Sequence, residues 1–149
     1  MAQPLAALAN TVNYAVTVID DRPDWAHKER FPAPTQIMNT SYETAAQELK
    51  PNKHDAVVIV TRDHAADQRL LEILAPKHCG YLGMIGSKRK ILIAFERAAA
   101  RGLAEQLLQN VFAPVGLDIG AQSPEEIAVS IMAQILKEHR YHSIAPSHA

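Results

Sequence analysis

Apolar positions along the chain form two kinds of pattern. Short runs, apolar on consecutive positions and rich in β-branched or aromatic residues, stand at Ala15–Ile19, Ala56–Thr61, Tyr81–Ile85 and Asn110–Phe112, each followed by polar residues or glycine. Runs of this kind read as strands covered on both faces, which implies a parallel sheet between two layers of helix. A shorter strand is predicted at Gln36–Met38. In the intervals the apolar residues recur at helical spacing. Leu70, Leu71, Ile73 and Leu74 form a stripe on a helix starting near Asp63, and Ile91, Leu92 and Phe95 form one on a helix starting near Ser87. The clearest helix start is Ser123-Pro124-Glu125-Glu126: serine as N-cap, proline at the first helical position, and Glu126 placed to return the capping bond. Ile127, Ile131, Met132, Ile135 and Leu136 then line one face, while Lys137, His139 and Arg140 complement the helix dipole at its far end. Strands alternate with helices over residues 1–142, and 143–149 have the composition of a fraying tail.

Composition narrows the partners. At 149 residues and 48% apolar content there is material for one domain with its own core. Lysine and arginine total 15 against 16 aspartates and glutamates, so the net field favours neither nucleic acid nor an anionic membrane, and any anion site must be local. The apolar runs are far shorter than the ~20 residues of a membrane span, and Met1–Asn10 lacks the basic start and long apolar stretch of a secretion signal. The expected location is the cytoplasm. Cys79 is the single cysteine, which excludes an intrachain disulfide and multi-cysteine zinc motifs and reads as a structural thiol. The seven histidines show no metal-site spacing.

Candidate chemistry gathers at the carboxyl ends of the predicted strands, where open α/β sheets bind ligands. Asp20 and Arg22 follow the first strand: Asp20 is placed to bond a ribose hydroxyl, or else begins the turn completed at Pro23. Thr61, Asp63 and His64 follow the second long strand; Asp63 reads as the cap of the next helix ahead of a direct ligand contact, and His64 as a base, a ligand contact or a surface residue. The segment carrying Gly83, Gly86, Ser87, Lys88 and Arg89 holds the densest chemistry. Its glycines let a ligand approach the backbone, and Lys88, Arg89 and Lys90 crowd positive charge into the end of a helix that disfavours it, a conflict an anion would resolve. The plainer reading is a solvated basic turn with Ser87 as an ordinary cap. The order of a P-loop is absent. Gly116, Asp118 and Gly120 lie in a shaped loop that either shares a crevice with Ser87 or is a structural turn.

These segments, Val16–Pro23, Thr61–His64, Tyr81–Lys90, Pro114–Gly120 and Ser123–Ile131, resemble the C-terminal Rossmann domain of the XdhC/CoxI family of xanthine dehydrogenase accessory proteins, and the likeness runs from Ala2 to about Arg140. The resemblance implies a Rossmann-like, three-layer αβα fold with a mainly parallel sheet. It also implies a chaperone more than an enzyme: a protein that binds molybdenum cofactor (molybdopterin), supports its sulfuration by a sulfur-donating desulfurase and delivers it to a molybdenum hydroxylase apoenzyme, with a homo-oligomer as an option. No catalytic residue and no metal ligand is expected, and Asp20, Arg22, Thr61, Asp63, His64, Gly83, Gly86, Ser87, Lys88, Arg89, Gly116, Asp118 and Gly120 are the expected cofactor contacts.

Two departures shape the expectation. Thr61-Arg62-Asp63-His64 stands where the family usually has Thr-His-Asp-His. Family members open this domain with a strand and a Gly-Ala-Gly-His loop, preceded by a separate cysteine-containing domain, whereas here Met1 stands just after that loop. The first strand and its glycine-rich loop are therefore expected to be missing. In the strand order 3-2-1-4-5-6 that strand lies between Ala15–Ile19 and Ala56–Thr61, so its absence leaves two unpaired edges or forces another pairing. A truncated or misstarted product, or a partner that supplies the strand, would account for it. The alternatives are an NAD(P)-binding oxidoreductase-like fragment, disfavoured by the missing glycine turn, and a non-catalytic interaction domain.

Overall fold

The computed structural model describes residues 1–144, and side chains as far as residue 139. The order is helix α1 (Ala2–Thr11), strand β1 (Thr17–Asp20), β2 (Gln36–Asn39), α2 (Tyr42–Glu48), β3 (Ala56–Ile59), α3 (His64–Leu74), β4 (Tyr81–Met84), α4 (Lys88–Ala100), α5 (Glu105–Gln109), β5 (Val111–Phe112) and α6 (Pro124–Ile144). Residues 145–149 of the expected tail lie outside the described residues. No helix among those described is long and apolar enough to cross a membrane.

All strand pairing is parallel, as the two-sided apolar runs require, but the sheet is in two pieces. One ladder joins β1 to β2, with Thr17 opposite Gln36. The other runs β3-β4-β5, with Ala56 opposite Tyr81 and Leu82 opposite Val111. No ladder joins β1 to β3. Of the two outcomes expected from a missing first strand, the structure shows separated edges.

Helices cover both faces. Strand side chains alternate between them: Val57, Ile59, Leu82 and Met84 join a core with Leu70, Leu71, Leu74, Ile91 and Ala98 from α3 and α4. Ala56, Val58, Tyr81 and Phe112 turn the other way, to Ile131, Met132 and Ile135 of α6 and Leu5, Leu8 and Ala9 of α1. Neither core contains a residue of β1 or β2. The stripe of α4 differs from the expected one: Ile91, Phe95 and Ala98, spaced i, i+4, i+7, face the core, and Leu92, about 100° further round the helix, is 58% exposed. The start of α6 is the predicted capping box. The Glu126 amide donates to Ser123 Oγ at 3.1 Å, and Glu126 Oε2 accepts from the amides of Ser123 and Gln122 at 3.0 and 2.7 Å, which hold its carboxyl below its ordinary pKa. Cys79 is half-buried against the larger core and burial pushes its thiol pKa up, as a structural thiol requires.

Candidate functional site

Strands β3 and β4 run side by side, so the loops at their carboxyl ends meet. Asp63 caps α3, accepting from the Ala65 amide at 3.0 Å. One turn on, the helix buries Asp67, 5% exposed, on the same stripe as Leu70, Leu71 and Leu74. Burial raises its pKa, and a short hydrogen bond from the Thr61 hydroxyl works against that rise. His64 joins the group: its Nδ1 lies 3.6 Å from Asp67 Oδ2 and its Nε2 2.8 Å from Lys90 Nζ. An ammonium has only donors, so Nε2 accepts and Nδ1 keeps its proton toward Asp67. Thr61, Asp67, His64 and Lys90 thus link the two strand ends through side chains, and the last three line a hollow of about 230 Å³ with Met84, Ile85, Ile91 and Arg97.

Ser87 caps α4 by accepting from the Lys90 amide at 3.4 Å, so the plainer reading of this serine holds. Lys88 and Arg89 are exposed and form no salt bridge or side-chain hydrogen bond among the described residues. The first-turn amides of Lys88 and Arg89 are likewise unmatched by any backbone or side-chain acceptor. Gly83 has a structural reason: a Cβ there would stand 2.5 Å from Val115 Cγ2 and 2.9 Å from Tyr81 Cε1.

At the carboxyl end of β1, Asp20 is already engaged. Burial pushes its pKa up, but Arg22 outweighs that by binding both its oxygens, Nε to Oδ1 and Nη2 to Oδ2 at 2.8 Å each, with the Arg22 amide adding a third bond at 3.0 Å; the net shift is downward. The same guanidinium lies 4.5 Å from the Trp25 ring centre, and Arg30 lies 4.1 Å from it. A ribose hydroxyl would have to compete with Arg22 for Asp20.

The loop with Gly116, Asp118 and Gly120 is tied to α6. Gln134 Oε1 accepts from the Gly116 amide at 2.8 Å and the Tyr81 hydroxyl at 2.6 Å, and the Leu117 amide donates to the Ser130 carbonyl at 3.2 Å. Gly116 has φ 98°, and a Cβ there would lie 2.3 Å from Ser130 Oγ, so both backbone and space demand glycine. Asp118 is exposed, with no hydrogen bond or salt bridge among the described residues, and it does not line the hollow beside His64. Sequence reading missed Asp67 and Gln134. Both are polar residues lying on an otherwise apolar helical stripe, which is the signal that could have found them.

Residues 1–135 match the family described as the XdhC Rossmann domain. A protein of Bacillus subtilis (strain 168) described as a probable xanthine dehydrogenase subunit is 32% identical over 139 residues, covering 92% of this chain and 39% of that protein. An uncharacterized protein, YqeB, of Escherichia coli (strain K12) is 29% identical over 133 residues, covering 89% of this chain and 24% of its own. The crystal structure of a xanthine dehydrogenase from Bacillus halodurans superposes with a TM-score of 0.76 at 33% identity, over 97% of this chain and 42% of that one. The chain therefore spans well under half the length of each of these relatives.

Proposed function

This chain belongs to the XdhC Rossmann-domain family, and on that premise we propose that it acts as an accessory domain for a xanthine dehydrogenase-type molybdenum hydroxylase, holding molybdenum cofactor for sulfuration and delivery. The apoenzyme and a sulfur-donating desulfurase are the partners this role requires. The observation that carries the reading is the start of α4: two first-turn amides without acceptors and two cations, Lys88 and Arg89, without carboxylate partners among the described residues. An anion at this point would be bonded by the amides and matched by the charges, with the helix dipole adding to both. That donor set fits the phosphate end of a pterin cofactor. When bound, the cofactor supplies the redox chemistry of the hydroxylase it is destined for. This chain's own residues bind and orient it: Lys88 and Arg89 hold the phosphate, and Asp67, by fixing the tautomer of His64, keeps Lys90 directed across the loop from β3.

Anaerobic calorimetric titration with molybdenum cofactor, and separately with pyrophosphate and NAD⁺, tests this. The double change Lys88→Ala, Arg89→Ala is expected to weaken cofactor and pyrophosphate binding by about tenfold or more, since each charge-assisted bond contributes roughly 1.5–3 kcal/mol. Unaltered affinity in that variant, or NAD⁺ binding tightly where the cofactor does not, would overturn the reading.

A further inference from the structure

Two residues of α3 sit in opposite surroundings on the wall of the hollow between α3 and α4. The side chain of Asp67 is 7% exposed and that of His64, 3.6 Å away, is 63% exposed. A leucine at position 67 would continue the stripe of Leu70, Leu71 and Leu74, so a carboxylate there costs stability unless its partners offset the lost hydration. The Thr61 hydroxyl bonds Oδ1, and Oδ2 faces His64 Nδ1. A buried acid behind an exposed imidazole fixes which ring nitrogen holds the proton: Nδ1 keeps it, and Nε2 presents a lone pair.

That lone pair meets the Lys90 ammonium at 2.8 Å. Both residues are exposed, so the contact competes with water at either end. Lys90 belongs to the first turn of α4, and helical side chains lean toward the helix N-terminus, which directs its ammonium to the end where Lys88 and Arg89 stand. A phosphate at that end attracts a third cation more strongly than a neutral ring does. Once Lys90 turns to the phosphate, Nε2 is an oriented acceptor on the wall of the hollow, and only a proton donor satisfies it. The rest of the wall suits a short carbon skeleton. Met84, Ile85 and Ile91 are apolar, and Arg97 closes the far end two turns down α4, about 10 Å from Lys90 along the helix axis.

We propose that Lys90 and the Asp67–His64 pair form an exchange device that makes this site selective: the ligand's phosphate takes Lys90, and His64 Nε2 then accepts a hydrogen bond from a hydroxyl or ring N–H next to that phosphate. The site thereby prefers phosphate esters with a proton donor on the adjoining skeleton to esters without one. This rests on the anion reading of the α4 start and adds a selectivity that charge alone does not give. Asp67 is a positioning residue, acting through the tautomer of His64.

Two probes of equal charge and nearly equal shape separate the contributions: glycerol 3-phosphate, which carries hydroxyls, and n-propyl phosphate, which carries none. Affinities are measured by calorimetry at about pH 8, where an ordinary histidine is neutral, and the His64 ring nitrogens are followed by long-range proton–nitrogen correlation spectra. The wild-type chain is expected to bind glycerol 3-phosphate about fivefold more tightly or better, the effect of one hydrogen bond. The ratio should fall to about one in His64→Ala, at an exposed helix start, and in Asp67→Leu, which continues the apolar stripe. n-Propyl phosphate, although it has no donor, should shift the wild-type Nε2 resonance as Lys90 departs. It should leave that resonance in place in Lys90→Met, where the preference for glycerol 3-phosphate persists. A preference retained in His64→Ala or Asp67→Leu, or an Nε2 resonance indifferent to n-propyl phosphate in the wild type, overturns the exchange. Equal binding of the two esters by the wild type overturns it too and leaves the anion site standing, whereas binding of neither ester overturns both.

Discussion

Strands β4 and β1 are both four residues long, yet every residue of β4 is buried and none of β1 is. Their sequences, Tyr-Leu-Gly-Met and Thr-Val-Ile-Asp, do not differ enough in hydrophobicity to explain this. Their neighbours do. Strand β4 has a hydrogen-bonded strand on each side and packs into both cores, whereas β1 has a strand partner on one edge alone and lines a cavity. Burial of a strand is thus a property of the sheet around it. One consequence is that the residues of the proposed anion site, after β3 and β4, stand on the well-packed half, and the Asp20 region stands on the other half.

The contrast should appear first in core truncations. Leu71 is completely buried in the larger core, so Leu71→Ala is expected to cost about 2–5 kcal/mol by urea denaturation, whereas Val18→Ala in the half-exposed β1 should cost under about 1 kcal/mol. Equal losses would abolish the distinction between the halves. Next in size is Gly116→Ala, which places a methyl group on Ser130 in a left-handed conformation; a loss of roughly 1–3 kcal/mol is expected, together with freer exchange of the Leu117 amide. Ser123→Ala removes one half of the capping box and should cost about 1 kcal/mol without disturbing β1 or β2.

The smallest effects are pH-dependent and opposite in sign. Asp20 has its folded pKa below the ordinary 3.8, so its stabilising contribution is complete above that value and is lost as pH falls through the lower folded pKa. Asp67 has its folded pKa raised above 3.8, so its contribution is complete below that value and is lost as pH rises through the folded pKa. Denaturation series should therefore show Asp20→Asn flattening the acid limb of the stability profile, and Asp67→Asn flattening the decline above it.

Much of this was legible beforehand. The five strands, their parallel direction and the capped final helix follow from short continuous apolar runs, from 3.6-residue periodicity and from the Ser-Pro-Glu-Glu start, all of which are local signals. The separation of β1 from β3 was readable only as one of two outcomes, because strand order depends on contacts far apart in sequence. The short helices α2 and α5 carry too few turns to show a stripe. At the candidate site, the Asp63 cap and the basic start of α4 were visible, but the bonding of Asp20 by Arg22 and the packing of Gly83 under Val115 were not. Side-chain geometry decides the first, and a contact across 32 residues of sequence decides the second.

The central claim is that one domain contains a well-packed half, built on β3, β4 and β5, and a less buried half, built on β1 and β2. Residue-resolved hydrogen exchange under native conditions tests it most directly. Ladder amides of the larger piece, Ile59 and Gly83, should exchange only through global unfolding, and those of the smaller piece, Val18 and Met38, through local opening at clearly lower free energy. Val18 and Met38 as strongly protected as Ile59 and Gly83 would contradict it.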